Sequence, residues 1–390
     1  MSRAAWLYSI DSKCIMTAVM TSFLVASRTA FLTLLCIIAA PSLAQGGDTS
    51  GADLSRVVPV SEPVLGRLQI FEDWAVGCDN RLSCSAVSLT PENLGTPYDV
   101  LVSIQRDGGP AGAALLRLMG ADRLRGKIEL VIDGRIKAKP TAAKDIIELK
   151  GPAALDIIRA LGSSFAFELR DRTRAVIGAP SLLGLPAALR YMDEQQGRIG
   201  GRAALAAVGE GPDDLARPLP PVAQIPANIP MLATASAPAL TADELAAARR
   251  LALCEAGVEA GSPLEAYSLG ESQALILMPC DAGAYNVSAV PLVTQGAAGH
   301  RQFHIAQFDH VPGSTGDASA PPLLVNARWN GQRGELSSFA KGRGLGDCGT
   351  AETYRWDGAR FRLIEARSMP VCRGAWEWPV IYSAAVGKTG

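Results

Sequence analysis

The sequence predicts a mainly β fold with a few helices (α+β), arranged as two β-sandwich or barrel-like domains joined by a Pro-rich linker. Three observations predict it. Short runs that alternate apolar and polar residues recur along the chain, bounded by Gly, Asn and Asp. Gly (39) and Pro (25) are plentiful, which favours turns and short strands over a helical bundle. Seven of the prolines crowd into residues 211–240 and separate two stretches that each have the apolar content of a globular core. Hydrophobic residues make up 48% of the 390 and charged residues 19%, so general disorder is excluded. The 37 basic and 38 acidic residues nearly cancel, which argues against a nucleic-acid partner.

The N-terminus comes first. Residues 30–40, AFLTLLCIIAA, form an apolar core preceded by Arg28 and followed by PSLAQ, with the small residues Ser42 and Ala44 at the −3 and −1 positions of a cleavage site. This is the three-part pattern of a secretory signal peptide, and it predicts cleavage near Ala44. The run is too short for an ordinary membrane span of about 20 residues. The chain after residues 1–44 is expected to carry no stable membrane span and to reside in the periplasm or outside the cell. Residues 45–63 read as a flexible leader.

Residues 64–210 form the first domain. LQIFEDWAVGCDN alternates around Phe71, Trp74 and Val76 and predicts one strand, with CSAVSLT as its partner across the turn NRLS. DVLVSIQR, ALLRLMG, KIELVIDG and SFAFELR predict further strands. AALDIIRALG has helical spacing at Leu155, Ile158 and Leu161, with Gly162 as its cap. LPAALRYMDEQQG (185–197) predicts a second helix, on which Asp193 and Glu194 read as solvated. The Arg190-to-Gln196 end of that helix reads as a docking surface for the linker or the second domain.

Residues 211–240 are the linker, and residues 241–390 the second domain. Thr241 and Glu244 form a capping box ahead of LAAARRLALCEA, which predicts a helix. Nine strand-like runs follow, from EAYSLG to WPVIYSAAV, separated by turns such as NGQRG and KGRGLGDCG.

Cysteine use agrees with export. Cys14 and Cys36 leave with the signal. Cys78, Cys84, Cys254, Cys280, Cys348 and Cys372 remain, an even number in three sequential pairs. The gaps within pairs are short compared with those between them, which favours Cys78–Cys84, Cys254–Cys280 and Cys348–Cys372. No pair has CxxC spacing and the histidines are not interleaved with the cysteines, so no metal site is predicted.

KGRGLGDCG (341–349) is the most suggestive loop for chemistry. Its glycines let backbone N–H groups approach a ligand, and Lys341 and Arg343 are placed to hold an anion beside Gly344 and Asp347. The competing reading is a tight turn pinned by Cys348–Cys372. His300, His304 and His310 lie close together in a strand-like segment and read as solvated or hydrogen-bonded. No GxSxG or other catalytic constellation is present, and no cofactor is predicted. Trp329, Trp356, Trp376 and Trp378 read as core, with stacking on sugars as the alternative.

Several of these motifs are long and distinctive. CDNRLSC after Trp74, ALRYMDEQQGRIGGRAAL, PCDAGAYNVS, FAKGRGLGDCGTAETYRWDGARFRL and CRG before Trp376 together resemble the bacterial exported domain of unknown function 1176 family, from about residue 64 to residue 385. The resemblance implies an exported protein and no established activity. The first domain is also similar to invasion-associated locus B proteins, through DWAVGC, VIDG and SLLGLPAAL. That similarity implies a β-rich secreted or envelope protein. The sequence therefore reads as a non-catalytic binding module whose partner is an envelope protein or cell-wall component. The alternatives are a hydrolase with a site around KGRGLGDCG and a peptidoglycan or glycan binder.

Overall fold

The strands begin with a hairpin where the sequence predicts one strand. In the computed structural model, which describes residues 62–93, 100–120, 122–212, 215–225, 239–254, 264–270, 273–312 and 320–387, β1 (Leu68–Phe71) turns at Glu72 and Asp73 into β2 (Trp74–Cys78). Glu72 takes a positive φ of 50°, and Asp73 is held by Leu183 O and by an ion pair with Arg373. All of β2 is buried, so alternation alone does not reveal the break. The expected signal peptide and most of the leader lie outside the described residues.

The chain continues through β3 (Cys84–Ser88), β4 (Val100–Arg106), β5 (Ala114–Gly120), β6 (Gly126–Lys127), β7 (Glu129–Ile132), β8 (Arg135–Ala138), β9 (Thr141–Ala142) and β10 (Ile146–Lys150). Then come α1 (Gly151–Gly162), β11 (Phe167–Arg170), β12 (Val176–Gly178) and α2 (Leu185–Gln196). A six-stranded antiparallel sheet runs β1-β2-β3-β4-β5-β10, and a four-stranded sheet runs β12-β11-β7-β8. Trp74, Val102, Ile104, Leu116 and Leu118 pack with α1, α2 and the smaller sheet in one apolar core. On α1 the buried stripe is Ala154, Ile157, Ile158 and Leu161, the i, i+3, i+4, i+7 pattern of one helix face. Gly162 is the last helical residue rather than the cap, which is Ser163. α2 starts after Gly184, where a side chain would strike Phe71 O at 2.0 Å. Only glycine allows that close approach of α2 to β1.

β13 (Gln224–Ile225) lies in the Pro-rich segment. α3 (Ala242–Ala252) follows, with the predicted capping box formed by Thr241 and Glu244. The remaining strands are β14 (Glu265–Ser268), β15 (Gln273–Ala282), β16 (Val287–Gln295), β17 (Gln302–Ile305), β18 (Leu324–Val325), β19 (Arg328–Asn330), β20 (Glu335–Lys341), β21 (Gly349–Trp356), β22 (Phe361–Met369), β23 (Val380–Ser383) and β24 (Ala385–Val386). They form the sheets β14-β15-β16-β17, with β18 on β16, and β19-β20-β21-β22-β23, while β24 pairs in parallel with β13. Alternation along β15 sorts its two faces. Ile276 and Met278 pack with Ala248 and Ala252 of α3, and Leu275 and Leu277 pack with Leu336, Tyr354 and Phe361 of the next sheet.

The two β-rich halves share a third apolar cluster. Ala75, Val87 and Leu89 of the first sheet meet Cys348, Met369, Ala375 and Trp378. Hydrogen bonds stitch the same seam. Gly66 N donates to Ile381 O at 2.7 Å, Ser383 N donates to Asn80 Oδ1 at 2.8 Å, and Gln105 Nε2 donates to Glu377 Oε1 at 2.8 Å. The fold is mainly β, with three helices among the described residues. None of the helices is long and apolar enough to cross a membrane.

Candidate functional site

The KGRGLGDCG loop joins β20 to β21, whose last facing pair is Lys341 and Gly349. Local geometry dictates two of its glycines. A side chain on Gly342 would lie 2.6 Å from Cys348 Sγ, and Gly349 has a φ of 135° with Ala340 O only 1.8 Å from where a side chain would start. The cysteines pair in sequence order: Cys78 with Cys84, Cys254 with Cys280, and Cys348 with Cys372. The third bridge ties the end of this loop to the CRG segment, with Cα atoms 4.7 Å apart.

Arg343 turns back onto its own loop. Its Nε donates to Asp347 Oδ1 at 2.8 Å and its Nη2 to Oδ2 at 2.5 Å, a bidentate pair. Asp347 is buried and also accepts from Gly374 N at 2.7 Å. The Arg343 guanidinium is the largest influence holding the Asp347 carboxyl below its ordinary range, and the pairing raises Arg343 in turn. Lys341 sends its Nζ to within 6.0 Å of the Phe339 ring centroid. Gly344 lies under Tyr285, whose Cδ1 would be 3.6 Å from a side chain there. Asp347, Cys348 and Cys372 bring ligand-type atoms within 4.8 Å of one another, but the two sulfurs are bonded to each other and are not thiolates.

Sequence reasoning missed the residues that brace the loop from outside. Asn286 Nδ2 donates to Lys341 O at 2.9 Å, and Lys341 N donates to Asn286 Oδ1 at 3.2 Å. Tyr285 OH donates to Gly342 O at 3.3 Å. Asn326 links the same strands, with Nδ2 donating to Phe339 O and Asn286 Oδ1, both at 2.9 Å. The motif PCDAGAYNVS was visible in the sequence, but nothing local shows that it meets a loop 55 residues away. What the braced loop presents outward is Leu345, 70% exposed, and Tyr285, 41% exposed.

The second long motif is internal scaffolding. Asp193 is fully buried, contrary to the expectation that it is solvated. Its carboxylate accepts from the N–H groups of Leu205, Ala206 and Ala207 at 2.7 to 3.0 Å, so the burial is compensated. Gln196 Nε2 donates to Leu82 O at 2.8 Å and Arg106 O at 2.9 Å. Trp356 and Trp378 are buried, and Trp378 stacks on Phe339 at 5.1 Å, whereas Trp376 is 44% exposed, contrary to the core reading. His300 and His304 are exposed. His310 is half-buried, which lowers its pKa, with Asp309 partly opposing.

One buried acid had no signal in the sequence. Glu352 sits on the core face of β21, 9% exposed, between Ser338 on β20 and Ala366 on β22. Burial raises its pKa from the ordinary 4.5 to about 7. The Tyr354 hydroxyl lies beside it and offsets a part, without reaching full hydrogen-bond geometry.

These features define a disulfide-bonded, mainly β protein of packed antiparallel sheets with a rigid, self-bonded signature loop. The chain belongs to the family described as "Protein of unknown function (DUF1176)", which matches residues 68–385. It is 27% identical over 341 residues to "Uncharacterized protein YpfG" of Escherichia coli (strain K12), a similarity that covers 80% of this chain and 91% of that protein. No solved structure matches the chain.

Proposed function

We propose that this chain is an exported bacterial envelope protein that acts as a non-catalytic binding module. The pole formed by residues 285–287 and 341–349 would present itself to an envelope protein or a cell-wall component. The observation that carries this reading is how the loop spends its polar groups. Arg343 and Asp347 bond to each other, Asp347 bonds to Gly374, and the backbone is held by Asn286. The loop is thereby rigid, and the large apolar or aromatic groups it offers outward are Leu345 and Tyr285, beside the partly exposed but paired Arg343. Rigid presentation lowers the ordering cost of binding. Three disulfides and the apolar segment 30–40 followed by PSLAQ support an oxidising, extracytoplasmic compartment. The motifs DWAVGC, VIDG and SLLGLPAAL, read as resembling invasion-associated locus B proteins, fit the same setting. The hydrolase alternative would draw on Arg343 and Asp347, which are already paired with each other.

The test is photo-cross-linking in cells from a probe at Leu345, with export confirmed by fractionation. A discrete adduct that is lost in Tyr285→Ala supports the reading. An exported protein that turns over a cell-wall or ester substrate, with turnover lost in Arg343→Ala, overturns it.

A further inference from the structure

The outer face of the sheet β19-β20-β21-β22-β23 is covered along one half only. Phe339 and Ala351 on that face pack against the cluster containing Ala75, Val87 and Leu89 of the first sheet. Further along the same strands the face emerges into solvent and forms a groove of about 590 Å³. Register sets its composition. Arg328 faces Ser337, which faces Thr353, and Asn330 faces Glu335, which faces Arg355. Cross-strand partners share a face, so these two rows lie side by side. Gln332, in the turn, completes the lining. Trp329 backs the groove from the core side, where its ring meets Tyr267 and Phe361.

The polar groups here are poorly matched with one another. Ser337 Oγ reaches Arg328 O only at 3.4 Å, and Arg333 Nη1 reaches Glu335 Oε2 at 3.4 Å. Arg355 Nη1 stands 3.9 Å from Glu335 Oε1, and Arg355 Nε is buried with no acceptor. These distances lie at or beyond the long end for hydrogen bonds, whereas the signature loop closes its own at 2.5 to 2.8 Å. Asn330 Oδ1 accepts from Arg333 N at 3.2 Å within the turn, so the unspent bonding capacity of the groove lies in its other polar groups, the Asn330 Nδ2 among them. The lining carries one cation, Arg328, and one anion, Glu335, with the guanidiniums of Arg333 and Arg355 beside that carboxylate, so a metal cation is not favoured. Two carboxamides, two hydroxyls, a carboxylate and a guanidinium offer both donors and acceptors over a flat surface. That set complements a ligand whose own groups both donate and accept, which is the chemistry of vicinal sugar hydroxyls.

We infer that this groove is a saccharide-binding site for a hydroxyl-rich glycan strand of the cell wall, with Asn330, Glu335 and Thr353 as its principal hydrogen-bonding residues. The inference rests on the reading of the chain as an exported binding module, and it names a second surface at the far end of β20 from Leu345. Recognition is by hydrogen bonds, because the Trp329 ring is occupied in the core.

Calorimetric titration of the chain from residue 45 onward with chitotetraose and with maltotetraose, and co-sedimentation with insoluble peptidoglycan, test it. Saturable binding to chitotetraose and retention on peptidoglycan, both weakened at least tenfold in Asn330→Ala/Glu335→Ala and unchanged in Lys137→Ala on β8, is the expected result. Thr353→Val supplies a second variant should the double one fold poorly, and it is expected to weaken binding at least threefold. Failure of all three probes to bind, preference for maltotetraose alone, or binding that survives both variants overturns the inference. Cross-linking from Leu345 reports on the other surface, so its outcome stands whichever way the sugar titrations fall.

Discussion

Replacing Glu352 with Gln should stabilise the protein at pH 8 and hardly at all near pH 4.5. The carboxyl is buried on the core face of β21, and burial lifts its pKa from 4.5 to about 7. The folded state therefore holds a proton that the unfolded state has released throughout that interval. Where the folded state binds more protons, stability falls as pH rises. The favourable, protonated condition is fully present below about pH 4.5 and is lost progressively up to about pH 7. A displacement of about 2.5 pH units at 1.36 kcal/mol each corresponds to about 3 kcal/mol lost at pH 8. Gln has nearly the same shape and cannot ionise, so Glu352→Gln escapes this loss. Urea denaturation of both proteins at pH 4.5, 6, 7 and 8 gives the difference in unfolding free energy at each pH. The reasoning predicts a gap that opens between pH 4.5 and 7 and then levels at up to about 3 kcal/mol in favour of the variant. Other carboxyls, such as that of Asp347, titrate in both proteins and cancel in the difference. A gap that is constant with pH, or a variant less stable at every pH, would refute the account of Glu352 as an uncompensated buried acid.

Two further perturbations probe the signature loop. Asp347→Ala strands the Gly374 N–H in a buried site and should cost about 2 kcal/mol, read by urea denaturation, and Arg343→Ala, which leaves the buried Asp347 carboxylate without its guanidinium, should cost at least as much at pH 7. Removing the third bridge as Cys348→Ala/Cys372→Ala opens a loop with a sequence separation of 24 and should lower stability by about 3 kcal/mol in non-reducing denaturation, with the difference from wild type vanishing once both proteins are reduced.

Features set by neighbours along the chain were legible in the sequence. The capping box at Thr241 and Glu244 needs residues three apart and is present. The bridges join cysteines that are near in sequence. Most strands fall where alternation predicts them. The turn at Glu72–Asp73 was not legible, because β2 is buried on both faces and the turn is fixed by Leu183 and Arg373 from distant segments. Burial of charged residues was not legible either. Asp193 and Glu194 are adjacent and chemically alike, yet Asp193 points inward to three backbone N–H groups. Only the path of residues 205–207 supplies those donors.

The candidate site divides along the same line. KGRGLGDCG was conspicuous as a loop, and Lys341, Arg343, Gly344 and Asp347 all lie on it. Residue type alone offers Arg343 and Asp347 equally to a ligand and to each other. In this fold the two bond to each other, and the large apolar or aromatic side chains exposed beside them are Leu345 and Tyr285. The groove on β19, β20 and β21 shows the converse. Arg328, Asn330, Ser337 and Thr353 are unremarkable as letters, scattered over 26 residues, and only register gathers them on one face. On the proposed reading, recognition is expected where polar side chains converge with bonding capacity left over. The most eye-catching motif meets the opposite condition, because its polar atoms are consumed in holding its own shape.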